Sequence, residues 1–318
     1  MKLNEIYQFF IKEGISCDIR SPKEIQKKFA ESKRLYRKLS AREKSLFDRE
    51  NFSNPYSDTR ILNGDPKTDV RRIMVGIDIE AGEILLADRL CQRGEKIDLI
   101  LAHHPEGKAL ANLDDVMGLQ ADLLKSVGFR GEIAKSLMDD RIKEVARRLH
   151  GGNHTRTVDA ARLLDFPLLC CHTPSDNHVA DYLQKMMDTQ KPKTLQSIIQ
   201  LLLKEPEYRD AVREKAGPTI LLGKPSEKAG KVLVDMTGGT EGSKEIFARL
   251  SQSGIQTLLC MHLSEEHFNK IKSEHIHVIV AGHIASDNLG LNLLLDKLAK
   301  KSRFEFVECS GFRRISRG

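Results

Sequence analysis

Apolar residues fall into two kinds of run along this chain. Short unbroken runs read as buried parallel strands: Ile73 to Ile77, Ile97 to Ala102, Pro167 to Cys171, Val232 to Asp235, Thr257 to Cys260 and Val278 to Gly282. Between them, apolar residues recur at helical spacing, as in Glu83 to Gln92, Asp139 to Leu149, Val179 to Met187, Leu195 to Leu203 and Glu245 to Gln252. A further helix runs through to Leu298, and a last strand covers Phe304 to Val307. Strands alternating with helices imply crossover connections and a mainly parallel sheet. The first 50 residues read as helices, broken near Gly14 and at Ser21-Pro22, and the turn formers of Asn51 to Asp58 mark a boundary.

Two stretches repeat one order of elements. Residues 72–104 and 231–262 each read strand, helix, glycine, strand, histidine, with Glu83-Ile84 and Arg89-Leu90 echoed by Glu245-Ile246 and Arg249-Leu250. The expected fold is therefore α/β, with two related halves and a helical N-terminal extension. The divisions are 1–68 for the basic helical extension, 69–180 for the first half, 181–216 for a helical connection and 217–318 for the second half.

With 318 residues the chain can bury one large or two ordinary cores. Its net charge is +6. Between Arg20 and Arg49 eleven basic residues face four acidic ones, an excess of seven, so the remainder is close to neutral. Such a stretch reads as a solvated helix face or as a patch for an anionic partner. Its aromatics are sparse (Phe29, Tyr36, Phe47), which argues against a stacking platform for nucleic acid. None of the six cysteines forms a CxxC pair, and Cys170, Cys171 and Cys260 read as small buried hydrophobes. No apolar run approaches the roughly 20 residues of a membrane span, and the N-terminus lacks a signal-peptide core. A cytoplasmic, reduced setting is expected.

Candidate chemistry gathers at strand ends, where open α/β sheets place their ligands. His103 and His104 close one strand and are followed by Pro105. Neighbouring residues of a regular strand point to opposite faces, so both imidazoles serve one site only if the backbone turns or the site is wide enough for two metals. Asp176 follows the next strand, in His172-Thr173-Pro174-Ser175-Asp176. His283 follows the strand ending at Gly282, and Asp287 comes four residues later, on the same helical face. Three imidazoles and two carboxylates suit Zn, Mn, Fe or Ni, and five ligands exceed what one tetrahedral zinc needs.

HHP at 103–105, HTPSD at 172–176 and GHIASD at 282–287, in that order, make the chain resemble the Nif-three-like family of dinuclear metal proteins, some members of which are described as GTP cyclohydrolase 1 type 2 homologues. The resemblance runs from about Val70 to Phe312 and leaves the basic start uncovered. It implies two divalent metal ions held by His103, His104, Asp176, His283 and Asp287, two α/β domains, and ring-shaped homohexamers. The family's usual Glu at the last position is Asp287 here, one methylene shorter. The resemblance further suggests a metal-dependent hydrolase acting on a nucleotide or other phosphorylated small molecule. A non-catalytic metal-binding or metal-handling protein, or a scaffold, are the alternatives.

Weaker signals remain. Gly238, Gly239 and Thr240 lie in a Gly-rich loop between strand and helix that could meet an anion or could be a tight packing turn. His154 and Arg156 are candidate substrate contacts. Asp78 reads more readily as a structural carboxylate than as a support for a ligand. His262, Glu265, Glu266 and His267 read more readily as a solvated helix start than as cavity groups.

Overall fold

The computed structural model describes residues 1–318. The first sheet contains β1 (Thr59–Asn63), β2 (Arg72–Gly76), β3 (Leu99–Ala102), β4 (Leu168–Cys171) and, from the far end of the chain, a strand Glu305–Cys309. The second contains β5 (Thr219–Leu222), β6 (Lys231–Asp235), β7 (Ile255–Cys260) and β8 (His277–Val280). Numbered on as β9, Glu305–Cys309 completes the first order, β1-β4-β3-β2-β9; the second order is β5-β8-β7-β6.

The two halves share one topology. In each, an antiparallel strand (β1 or β5) flanks the last of three parallel strands. The pairing registers align them residue by residue. Gly76 pairs with Ala102 in the first sheet, and Asp235 with Cys260 in the second. Ala102 and Cys260 are thus equivalent, and so are His104 and His262, two residues further on.

Both faces of each sheet are covered, which is why its central strands are apolar without alternation. Ile73, Val75, Leu99, Leu101 and Leu169 pack on one face of the first sheet, and Met74, Ile100 and Leu168 on the other. The second sheet divides likewise, with Val232, Val234 and Ile279 on one face and Leu233, Leu258 and Val278 on the other. Two helices cross between the halves. Helix Thr173–Gln190 leaves β4 but packs Val179, Leu183 and Met187 on the second sheet. Helix His283–Ala299 leaves β8 but packs Leu291, Leu294, Leu295 and Leu298 on the first. This exchange brings the helix starts carrying Asp176 and Asp287 together.

Three expectations change. The N-terminal helices are present as Leu3–Ser16, Pro22–Lys38 and Ala41–Leu46, but residues 1–68 are not a separable helical extension. Leu3, Ile6 and Phe10 are fully buried in the first core, Asn177 donates to the Gly14 carbonyl at 3.2 Å, and β1 is a sheet strand. Nor does 217–318 belong wholly to the second half, because β9 pairs with β2. The edge strands β1 and β5 were not foreseen. No helix of the chain is long and apolar enough to cross a membrane.

Candidate metal centre

The strand ends converge as their sequence positions suggest. β3 stops at Ala102, and the His103 and His104 amides bond to the carbonyls of Gly76, the last residue of β2, and of Ile77 just past it. The two imidazoles then turn to one place, their ring centres 5.1 Å apart. Helix His283–Ala299 starts directly from β8, with Gly282 at φ +106° as its cap. A side chain at 282 would also press its Cβ to 2.7 Å from the Ala216 carbonyl oxygen, so this glycine serves the tight entry. His283 and Asp287 lie one turn apart, with His283 Nε2 3.6 Å from Asp287 Oδ2.

Asp287 is the hub. It is 1% exposed. His103 Nε2 lies 3.5 Å from its Oδ1, and His104 Nε2 lies 3.5 Å from its Oδ2. His103 Nε2 is also 3.5 Å from Asp176 Oδ1. None of these separations is a hydrogen bond. His103 Nε2, Asp176 Oδ1 and both Asp287 oxygens are buried without any hydrogen-bond partner.

The outer nitrogens explain why. His103 Nδ1 faces the Cys171 carbonyl at 3.3 Å, His104 Nδ1 faces Asp78 Oδ1 at 2.6 Å, and His172 Nδ1 faces Asp58 Oδ2 at 2.9 Å. Each acceptor draws the ring proton to Nδ1, which leaves a lone pair on Nε2 in the neutral ring. In the neutral rings, lone pairs therefore face carboxylate oxygens, acceptor against acceptor. That is the arrangement a cation resolves. Three groups of donor atoms lie close enough to hold a metal ion: His103, His104 and His172; His104, His283 and Asp287; and His103, Asp176 and Asp287.

Without an ion the charges are strained. Burial pushes His103 down to about 4 and Asp176 up to about 7. Burial would also lower His172, but Asp176 and Asp58 outweigh it and raise the ring to about 9. Asp287 is held well below the usual carboxylate range; burial works upward there and is overcome by His103, His104 and His283.

A cleft of about 670 Å³, part of it open solvent, lies beside the cluster. His172, Asp176, His283 and Asp287 line one part of it, and Asp235, Glu241, His262 and His267 another.

The sequence profile described as Duf34/NIF3 (NGG1p interacting factor 3) matches residues 142–311, more than half of the chain. The chain belongs to this family. Among solved structures, a NIF3 superfamily protein from Sphaerobacter thermophilus is similar at 28% identity and a TM-score of 0.71, over 80% of this chain and 92% of that one. Reduced HcgD from Methanocaldococcus jannaschii shares the fold at 13% identity and a TM-score of 0.52, over 85% and 97% of the two chains. No curated protein matches the sequence.

This NIF3-family chain brings His103, His104, Asp176, His283 and Asp287 into one cluster. His103 and His104 precede the matched segment, so their place in it rests on the geometry alone. Four groups nearby carry little or no signal in the sequence. His172 turns its Nε2 to Asp176 Oδ2 at 3.6 Å. Asp58 and Asp78 orient His172 and His104, so Asp78 is not a plain structural carboxylate. His262 sits with its ring centre 4.8 Å from that of His283. Its equivalence to His104 in the repeat was the signal that could have found it. His262 and His267 line the cavity, while Glu265 and Glu266 are solvated as expected. His154 and Arg156 do not line the cavity, and Arg156 is exposed. Gly239 and Thr240 do line it, but Gly238 and Gly239 also pack tightly, because added Cβ atoms would meet Gln120 at 2.7 Å and Val116 at 2.9 Å.

Proposed function

We propose that the chain is a metal-dependent hydrolase with a dinuclear centre of Zn, Mn, Fe or Ni. One ion would be held by His103, Asp176 and Asp287 Oδ1, the other by His104, His283 and Asp287 Oδ2, with Asp287 bridging. The carrying observation is the set of imidazole Nε2 atoms that face carboxylate oxygens at 3.5–3.6 Å without a hydrogen bond between them. Metal–ligand bonds of about 2.0–2.2 Å in a tetrahedral shell separate neighbouring ligand atoms by about 3.3–3.6 Å. The shorter Asp at 287 therefore supports bridging despite its lost methylene.

When bound, such ions supply an acidified water at neutral pH and a Lewis acid for the group attacked. The remaining work falls to the chain. Asp58 and Asp78 fix the ring orientations of His172 and His104. His172 turns its Nε2 to Asp176 at the cavity wall. The substrate would be a nucleotide or another phosphorylated small molecule, and the assembly a homohexamer; both follow from the family resemblance.

A second reading, metal handling without turnover, is favoured by one feature. The His283 side chain is 40% exposed, so an ion at that position has a path to solvent. Loading purified protein with each metal and screening nucleotides, phosphate esters and cyclic amides separates the two. The hydrolase reading expects metal-dependent turnover that Asp287→Asn abolishes. Full metal loading with no turnover across the panel would favour handling.

A further inference from the structure

The cavity beside the cluster holds no lysine or arginine among its lining residues. For a site expected to take a phosphorylated compound this is the wrong charge, and the far part of the wall shows what it suits instead. Asp235, at the end of β6, lines the cavity, and its carboxylate makes no hydrogen bond with the protein. Glu241 is fixed beside it, accepting from the Ser264 amide and flanked at 3.5 Å by Nδ1 of both His262 and His267.

Gln120 adds a third acceptor. It is 6% exposed and lines the same cavity. Its Nε2 donates to the Gly238 and Thr240 carbonyls, which fixes the amide's direction, since a flipped amide would set oxygen against oxygen. Its Oε1 is left buried with no donor. The space beside that oxygen is kept open by Gly242, where a Cβ would lie 2.6 Å from Oε1. Gly242 has an ordinary backbone conformation, so the missing side chain serves space and not strain. The donors nearby are already spent: the Thr237 hydroxyl on Asn177, and both His267 nitrogens on Ser264 and the Gly242 carbonyl. An unpaired buried acceptor is costly until a donor arrives.

We propose that this part of the cavity binds the nitrogen-donor end of the ligand, an amidine, guanidine or amino-substituted heterocycle, on Gln120 Oε1, Asp235 and Glu241. The proposal deepens the reading of the site as a metal-dependent hydrolase: the reacting, anionic end of the substrate meets the metal cluster, and the donor end meets the acceptors. Two in-plane N–H groups satisfy a carboxylate and an amide oxygen together, which a single ammonium does less well. The apolar side chains of Met236, Phe247 and Leu263 offer the flanking surface that a flat ring needs. Asp235 is pushed up to about 6 by burial, so a cation in contact with it relieves a desolvated charge.

The test uses benzamidine as the donor probe and phenyl phosphate as the anionic one, by titration calorimetry on zinc-loaded and metal-free full-length protein. Zinc content is measured on every sample. Benzamidine is expected to bind the zinc-loaded wild type. Asp235→Asn and Gly242→Ala should each weaken it at least tenfold while zinc content stays unchanged. Gly242→Ala alters neither charge nor any cluster residue, so its effect reports the space beside Gln120. Phenyl phosphate is expected to bind only when zinc is present. Absence of benzamidine binding, equal affinity in the wild type and both variants, or phenyl phosphate binding to metal-free protein would each overturn the proposal. Failure of the metal-centre reading would show separately, as zinc content that does not depend on His103 and His104.

Discussion

Replacing Asp287 by Asn should lower stability without metal and also remove most of what metal adds. The wild-type carboxylate is 1% exposed, and against the upward push of burial the imidazoles of His103, His104 and His283 hold it well below the usual carboxylate range. His104 is raised in return, burial there being outweighed by Asp287. A carboxyl whose folded pKa lies below its unfolded value stabilises the fold above that unfolded value, so at pH 8 its contribution is fully present. An Asn amide of the same size removes that charge. Metal-free Asp287→Asn should therefore be less stable than metal-free wild type by about 1–3 kcal/mol, or roughly 2–4 °C in Tm per kcal/mol. Metal widens the gap. An ion at 100 times its Kd stabilises a folded protein by about 2.7 kcal/mol, and Asn is a poor ligand for these ions. The assay is thermal unfolding at pH 8, with chelator or with zinc, followed by metal analysis. Wild type should gain Tm on zinc addition, and the variant should start lower and gain little. A variant that is more stable than wild type in chelator, or that gains as much from zinc, would overturn this expectation.

Three further outcomes follow from particular residues. Asp78→Asn should lower metal affinity about 10–100-fold with little loss of fold, because it takes the anchor from His104 Nδ1; competition with a chromogenic chelator measures this. Asp235, raised to about 6 from about 3.9 in the unfolded chain, binds its proton more tightly when folded, so it lowers stability as pH rises from about 4 to about 6. Asp235→Asn should match wild type near pH 4 and exceed it by on the order of 1–3 kcal/mol at pH 8 in urea unfolding. Deleting residues 1–50 should prevent folding, and Phe10→Ala alone should cost about 3–5 kcal/mol, because Phe10 is fully buried; a truncated chain with a cooperative melt would contradict this.

The sequence revealed most where burial is symmetrical. β2, β3, β4, β6, β7 and β8 are covered on both faces, so their residues form apolar runs that stand out from the helical spacing around them. β1 and β5 are antiparallel strands whose residues are only partly buried, so their sequences do not look like a buried core. Thr59-Arg60-Ile61-Leu62-Asn63 even contains an arginine that is 2% exposed, held by the Tyr56 and Thr59 carbonyls and by Asp48. That solution is tertiary and leaves no local pattern. The candidate ligands were legible because each follows a strand end. Their supports were not: Asp58 lies in a turn-rich segment 114 residues from His172, and only the fold pairs them. The N-terminal helices were legible as helices, but their burial was hidden. The basic residues of Pro22–Lys38 drew attention to an exposed face, while Leu3, Ile6 and Phe10 on the preceding helix close the first core.

A centre built on His103, His104, Asp176, His283 and Asp287 should hold two metal ions. Its most direct test is metal counting by mass spectrometry on wild type and on the His103→Ala/His104→Ala double variant, each equilibrated with zinc and freed of excess. Two equivalents per chain are expected in the wild type, with most of that metal lost in a folded variant. One equivalent or none in the wild type, or two retained in the double variant, would contradict it.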